Sequence, residues 1–217
     1  KAAAQREMDA HEKQGLRLIA FGEPDYPSNL AQIYDPPPVL SLRGHPHLFE
    51  KPAVAIVGAR NASANGRRFA EKIATELGRK GFLIVSGLAR GIDTAAHTGG
   101  LAMGTAAVQA GGVDIIYPQE NTPLYGRIAE EGVLISEQPL GTTPQARHFP
   151  RRNRLVSGLS LGVIVIEAAL KSGSLITARM ALEQGREVFA VPGSPLDPRA
   201  HGVNHLIREG AVLTENA

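Results

Sequence analysis

The chain of 217 residues contains no cysteine. That excludes a disulfide framework, a thiol nucleophile and a thiolate zinc site, and it fits a reducing cytoplasm. No apolar run is long enough to span a bilayer and no signal peptide is visible, so no membrane role is expected. Charge of one sign is not in excess: 23 Lys and Arg face 21 Asp and Glu, a formal charge of +2. A polyanion would have to be met by local clusters of basic residues, because the surface as a whole is not basic. The chain shows no internal repeat and no low-complexity tract. Apolar residues make up 43%, an ordinary globular share that excludes global disorder. This length buries one good core, with room for a small appendage.

Residues 1 to about 50 differ from the rest. The opening Lys1-Ala2-Ala3-Ala4-Gln5-Arg6-Glu7 lacks an initiating Met and reads as a helix cut from something longer. A short strand is expected from Leu16 to Phe21. The triple proline Pro36-Pro37-Pro38 then forbids regular helix and favours extended chain. Residues 1–50 read as a helical piece and an extended arm packed on a main domain at 51–217.

From Ala53 onward, strand-like and helix-like segments alternate. Ala53 to Val57 is a continuous apolar run, as in a strand covered on both faces. Asn65 to Lys80 follows with Phe69, Ile73 and Leu77 on one helical stripe. Further strands are expected at Phe82–Val85, Thr105–Val108, Val133–Ile135, Val163–Ile166, Val188–Val191 and Ala211–Leu213. Helices are expected near Ile92–Met103, Pro123–Glu131, Leu175–Gln184 and Val203–Arg208. Such alternation predicts an α/β fold, a mainly parallel sheet with helices on both faces.

The chemistry gathers after the strands, where open parallel sheets bind ligands. Glycines and arginines stand there: Gly58-Ala59-Arg60 after one strand and Gly87-Leu88-Ala89-Arg90 after the next. Lys171-Ser172-Gly173-Ser174 comes soon after a third and resembles a phosphate-gripping helix start. Between two strands lies His148-Phe149-Pro150-Arg151-Arg152-Asn153-Arg154, a dense mixture of cations, an amide and a ring. It reads as a solvated basic turn or as part of a nucleotide or nucleic-acid site, and the loops around it favour the second.

Other chemistries fit less well. The GxxxxGK[ST] spacing of a phosphate loop is absent, which disfavours ATP hydrolysis. Gly58-Ala59-Arg60-Asn61-Ala62-Ser63 is not GxGxxG, and the second strand ends in Ser86-Gly87, without the acid that would hold a ribose. Asp93 is placed to cap its helix. Asp93 and His97 stand at i, i+4, but no third metal ligand is suggested. Glu137 and Glu167 are candidates either for an acid–base pair or for holding an arginine of the site.

Taken in order, these segments resemble the DprA/Smf family of DNA-processing proteins. The matching pieces include Ala55-Ile56-Val57-Gly58-Ala59-Arg60 and Val85-Ser86-Gly87-Leu88-Ala89-Arg90-Gly91-Ile92-Asp93. Ile116-Tyr117-Pro118, Phe149-Pro150-Arg151-Arg152-Asn153-Arg154, Ser172-Gly173-Ser174-Leu175-Ile176-Thr177 and Val191-Pro192-Gly193 follow. The set covers roughly residues 16 to 214. The resemblance implies an extended Rossmann-like three-layer fold that binds single-stranded DNA without sequence preference. It implies a role in natural transformation, protecting incoming strands and loading RecA on them. It also implies homodimerisation and no catalytic turnover, so neither catalytic residues, a cofactor nor a metal is expected.

On that pattern the DNA-binding residues are Gly58, Arg60, Arg90, Gln119, Phe149, Arg151, Arg152, Asn153, Arg154, Lys171, Ser172, Gly173 and Ser174. Family members often carry Lys or Arg after Tyr-Pro, where this chain has Gln119. Tyr117 is a second candidate ring. With aromatics at 5%, few stacked bases and a backbone-led grip are expected. At least one of Arg151, Arg152 and Arg154 is expected to serve as scaffold on Glu137 or Glu167. The dimer patch is expected from Val203, Leu206, Ile207 and Leu213. Two alternatives remain at this point. One is a nucleoside-monophosphate phosphoribohydrolase using Glu167 and Arg60; the other is a nucleotide-sensing module in the same pocket.

Overall fold

The computed structural model describes residues 2–217 and shows one sheet of nine strands. The strands are β1 (Arg17–Ala20), β2 (Val39–Gly44), β3 (Ala53–Gly58), β4 (Leu83–Ser86), β5 (Thr105–Val108), β6 (Val133–Ser136), β7 (Gly162–Ile166), β8 (Glu187–Ala190) and β9 (Val212–Leu213). Their spatial order is β1-β2-β6-β5-β4-β3-β7-β8-β9. From β6 to β9 every neighbouring pair is parallel, while β1 and β2 join antiparallel at the β6 edge. The fold is α/β, as the alternation predicts.

The helices are α1 (Ala2–Lys13), α2 (Ser28–Ala31), α3 (Ala64–Arg79), α4 (Ile92–Gly100), α5 (Thr122–Glu131), α6 (His148–Gly158), α7 (Gly173–Glu183) and α8 (His201–Arg208). They cover both faces. Alternation along β3 explains how: Ala53, Ala55 and Val57 point into a core with Leu30, Leu155, Val156, Ala178 and Val203, from α2, α6, α7 and α8. Ile56 points the other way, onto Ala70, Ile73 and Ala74 of α3 and Ala96 of α4. Tyr125 and Ile128 of α5 close that second face over Ala107 and Leu134.

Two elements depart from the sequence reading. The chain after the triple proline is extended as expected, but it forms a full strand, β2, hydrogen-bonded to β6. Tyr26 helps to set its entry by donating a hydrogen bond from its hydroxyl to the Pro37 carbonyl, 2.8 Å. The basic heptapeptide is not a turn; it opens helix α6. Pro150 sits in the first turn, where its missing N–H would have no intrahelical partner in any case.

The chain order places the site. From β3 it steps through β4 and β5 to β6, then returns past β3 to lay down β7, β8 and β9 on the other side. The connections after β3 and β7 therefore diverge and leave a crevice at their carboxyl ends.

Candidate nucleic-acid interface

A cleft of about 550 Å³ occupies this crevice. Gly58 and Arg60 line it from the β3–α3 turn, Phe149, Arg152 and Asn153 from α6, and Lys171 to Ser174 from the start of α7. The start of α7 carries unpaired backbone N–H groups, so it brings a partial positive charge to the cleft. Ser172 caps α7, its hydroxyl accepting from Ser174 N at 3.4 Å. Asn153 Nδ2 donates to the Gly173 carbonyl at 3.3 Å and so ties α6 to the α7 start.

Arg60 is exposed, and its guanidinium lies over the Phe149 ring, 5.2 Å from the centroid. Phe149 in turn meets Tyr117 at a centroid distance of 5.6 Å. Tyr117 is 46% exposed, so neither ring belongs to the core. The cation and the rings form one surface beside the α7 start.

The turn that carries Arg60 is clasped from β7. The Glu167 carboxylate accepts a hydrogen bond from Ser63 N at 2.8 Å and another from the Ser63 hydroxyl. Ser63 caps α3 by accepting from Gly66 N at 2.9 Å. Glu167 holds this position at φ 52°, in the left-handed region that non-glycine residues rarely occupy. It therefore holds Ser63, and no arginine is its ion-pair partner among the described residues. Glu137 is held elsewhere, by Arg154, so the two carboxylates do not form a working pair.

The β4–α4 loop is tied down from beneath. Asp93 Oδ2 accepts from Gly87 N at 3.1 Å and Ala89 N at 3.3 Å. It pins the loop before its helix, and Gly91 takes the cap position that the sequence reading gave to Asp93. Leu88, at φ 55°, donates its N–H to His97 Nε2 at 3.2 Å, and its carbonyl accepts from Asn121 Nδ2 at 2.9 Å. Thr105 Oγ1 gives its proton to the Ile84 carbonyl, 2.6 Å, and so accepts from His97 Nδ1, 2.8 Å. Both ring nitrogens are thereby used, and His97 is a neutral hub with no lone pair free for a metal. Burial, with the nearby Arg152 cation, pushes its pKa down to about 3. Burial pushes the Asp93 carboxyl up, against the opposing pull of Arg152 and the two N–H groups.

The three arginines of the heptapeptide have three fates, set by the helical rotation of about 100° per residue. Arg151 is exposed and lies outside the cleft lining. Arg152 is buried beneath the cleft floor, its Nη1 donating to the Val108 carbonyl at 2.8 Å. Arg154 is scaffold: it pairs with Glu137 and reaches Asp35 Oδ2 at 3.3 Å. Burial pushes the Glu137 carboxyl up, against the pull of Arg154.

Other expected residues sit at the margin. Arg90 is exposed and paired with Glu120 at 2.5 Å. Gln119 lies outside the cleft, its amide folded back on the Ile116 carbonyl at 3.0 Å. Asn61, Thr177 and Arg199 line the cleft but were not foreseen. Arg199 forms a bidentate pair with Asp197, and nothing in its local sequence signals its position.

The expected dimer patch is split. Val203 is 1% exposed and packs into the core, because α8 turns that position toward the sheet. It cannot meet a partner. Leu206 and Ile207 are half-buried, and Leu213 is exposed on β9, the open edge of the sheet. Ile207 and Leu213 share a shallow apolar cleft with Leu170, Pro192 and Pro195.

Known proteins place the chain. A family model described as DNA recombination-mediator protein A matches residues 17–217. The DNA processing protein DprA of Bacillus subtilis is 50% identical over 209 residues, covering 95% of this chain and 70% of that protein. The X-ray structure of DprA from Streptococcus pneumoniae superimposes with a TM-score of 0.89 at 44% identity, covering 96% of this chain and 75% of that one. The structure of DNA processing protein A from Helicobacter pylori, described by its single-stranded DNA binding mode, gives a TM-score of 0.84 at 32% identity. It covers 91% of this chain and 89% of that one. With a family model matched over residues 17–217 and relatives matched across nearly the whole chain, this chain belongs to the DNA recombination-mediator protein A family, the DprA/Smf family of DNA-processing proteins.

Proposed function

We propose that the crevice binds single-stranded DNA without sequence preference and without chemical turnover. One observation carries this reading: the Arg60 cation stacked on Phe149 stands beside the start of α7 in one cleft. Cations and helix N-termini suit a phosphate backbone, and Phe149 with Tyr117 offers faces to unpaired bases. A duplex hides those faces, so the same groups favour a single strand.

Binding rather than hydrolysis is supported by the state of Glu167. Both its oxygens accept hydrogen bonds from Ser63, so it is poorly placed to attack or activate water at a glycosidic bond. The wider role proposed with it is protection of incoming strands in the cytoplasm during natural transformation, with delivery to RecA. A homodimer built on Ile207, Leu213 and the β9 edge fits the exposed apolar strip there.

The direct test is an electrophoretic shift with matched single- and double-stranded oligonucleotides. Preference for the single strand, with no nucleotide consumed and no free base released from AMP, supports the proposal. Equal affinity for both forms, or release of base, refutes it.

A further inference from the structure

A second, smaller cavity adjoins the cleft at the Arg152 guanidinium. Its volume is about 100 Å³. Its outer lining is exposed: Arg60, Arg90 and Tyr117. Its inner lining includes two buried side chains, Arg152 at 6% exposure and Gln109 at 4%. Each of these carries a buried donor with no partner, Arg152 Nε and Gln109 Nε2. Such donors are costly to leave unsatisfied, and two at one cavity point to a missing acceptor.

The chemistry of that acceptor is constrained. No carboxylate lines the cavity; Asp93 and Glu120, the acids nearby, face neighbouring surfaces. Arg152 has no carboxylate within ion-pair distance among the described residues, so its buried charge lacks a direct counter-ion. The Arg60 and Arg152 guanidinium groups and the Gln109 amide donor, with Arg90 held by Glu120 at the rim, suit an anion made only of acceptors, which describes a phosphate. Size selects further. At about 30 Å³ for each water in the liquid, the cavity holds roughly three waters, enough for one tetrahedral phosphate and too little for a nucleoside. An internal phosphodiester carries a nucleoside on each side and fills a cavity of this size poorly. A terminal monoester has one link and three free oxygens, and fits it better.

We infer that this cavity is a pocket for a phosphate monoester, the group at a phosphorylated end of a DNA strand; the inference rests on the single-strand reading of the adjoining cleft. The protein would then hold strand ends more tightly than strand interiors. The same chemistry is offered by a free mononucleotide or by inorganic phosphate, and the experiment separates these sources.

The full chain is titrated with internally labelled oligothymidylates differing only at their ends: 5′-phosphate, 3′-phosphate, or hydroxyl at both. One phosphorylated end should tighten binding by about tenfold, the yield of one added charge-assisted anchor. Gln109→Met keeps the volume and removes the donor. It should cut that gain to less than about twofold while hydroxyl-ended binding holds. Gln109→Leu repeats the test should the first variant melt early. Erasure of the gain by inorganic phosphate shows that the bare anion suffices. Erasure only by thymidine 5′-monophosphate shows that the attached nucleoside contributes. Either result supports the pocket. Equal affinity for all three strands overturns the pocket and leaves the cleft reading standing. A gain that survives in the Gln109 variants overturns the assignment to this cavity. If no strand binds, the cleft reading fails, and calorimetry with thymidine 5′-monophosphate decides the pocket. Heat that Gln109→Met removes supports it, and absence of heat overturns it.

Discussion

A Cβ atom placed on Gly87 would lie 1.7 Å from Nη1 of Arg152. The glycine leaves the space that the buried guanidinium fills, and through it β4 and α6 are matched. Gly87→Ala should therefore force Arg152 out of its site, away from the Val108 carbonyl. The expected cost is about 1–3 kcal/mol, the range for overpacking a core position. Denaturant unfolding measures it. Arg152→Ala in the same background should recover part of the loss; strictly additive costs would show that the two residues do not compete for the space.

Arg60 is exposed, stacked on Phe149 and free of any carboxylate partner among the described residues. Arg60→Ala should weaken single-strand binding several-fold and lower the salt slope by about 0.7, the share of one phosphate contact. The melting temperature should hold, since little buried structure depends on this side chain. Filter binding across a salt series reads both effects, and an unchanged slope would remove Arg60 from the contact surface.

Arg154 and Arg151 should separate stability from binding. Arg154→Ala strands the half-buried Glu137 carboxylate and should cost about 2 kcal/mol, somewhat less than a fully buried pair loses. Arg151→Ala should leave stability unchanged, because the side chain is exposed. Parallel thermal melts of the two variants give the comparison.

His97 should make the protein acid-sensitive. Its pKa falls from an ordinary 6.5 to about 3 in the fold, so below pH 6.5 the unfolded chain takes up a proton that the folded chain refuses. Its contribution to stability is full above pH 6.5 and declines as pH falls toward 3, by about 1.4 kcal/mol per unit. Asp93 and Glu137, both pushed up by burial, act with the opposite sign, so the wild-type profile is a sum. The difference between wild type and His97→Gln isolates the histidine. That difference should shrink as pH falls from 6.5; a constant difference would contradict the neutral hub.

If the β9 edge dimerises, Ile207→Asp should yield a monomer by light scattering. Val203→Asp should instead unfold the chain, because that position is core. Dimer mass retained by a folded Ile207→Asp protein would move the interface elsewhere.

What could be read from the sequence was local and periodic. Apolar runs such as Ala53–Val57 predict strands, and the stripe of Phe69, Ile73 and Leu77 predicts α3, because alternation and helical spacing reflect burial directly. Their alternation predicts parallel pairing and points to the strand ends as the place to look for a ligand site; the fold brings Gly58, Arg60 and Lys171 to Ser174 together there. The antiparallel strand β2 was less visible, since three prolines precede it and its partner β6 lies some ninety residues away.

Only the tertiary structure divided the labour among residues of the same type. Arg151, Arg152 and Arg154 look alike in the chain. Their fates depend on the rotation of α6 against the sheet, on the space left by Gly87 and on the presence of Glu137. Asp93 and Glu167 likewise became loop clasps through backbone N–H groups that no side-chain pattern records. Side-chain identity determines what chemistry is available; the packing of distant segments decides which atoms face the cleft, because burial and hydrogen-bond partners are properties of the fold and not of the residue.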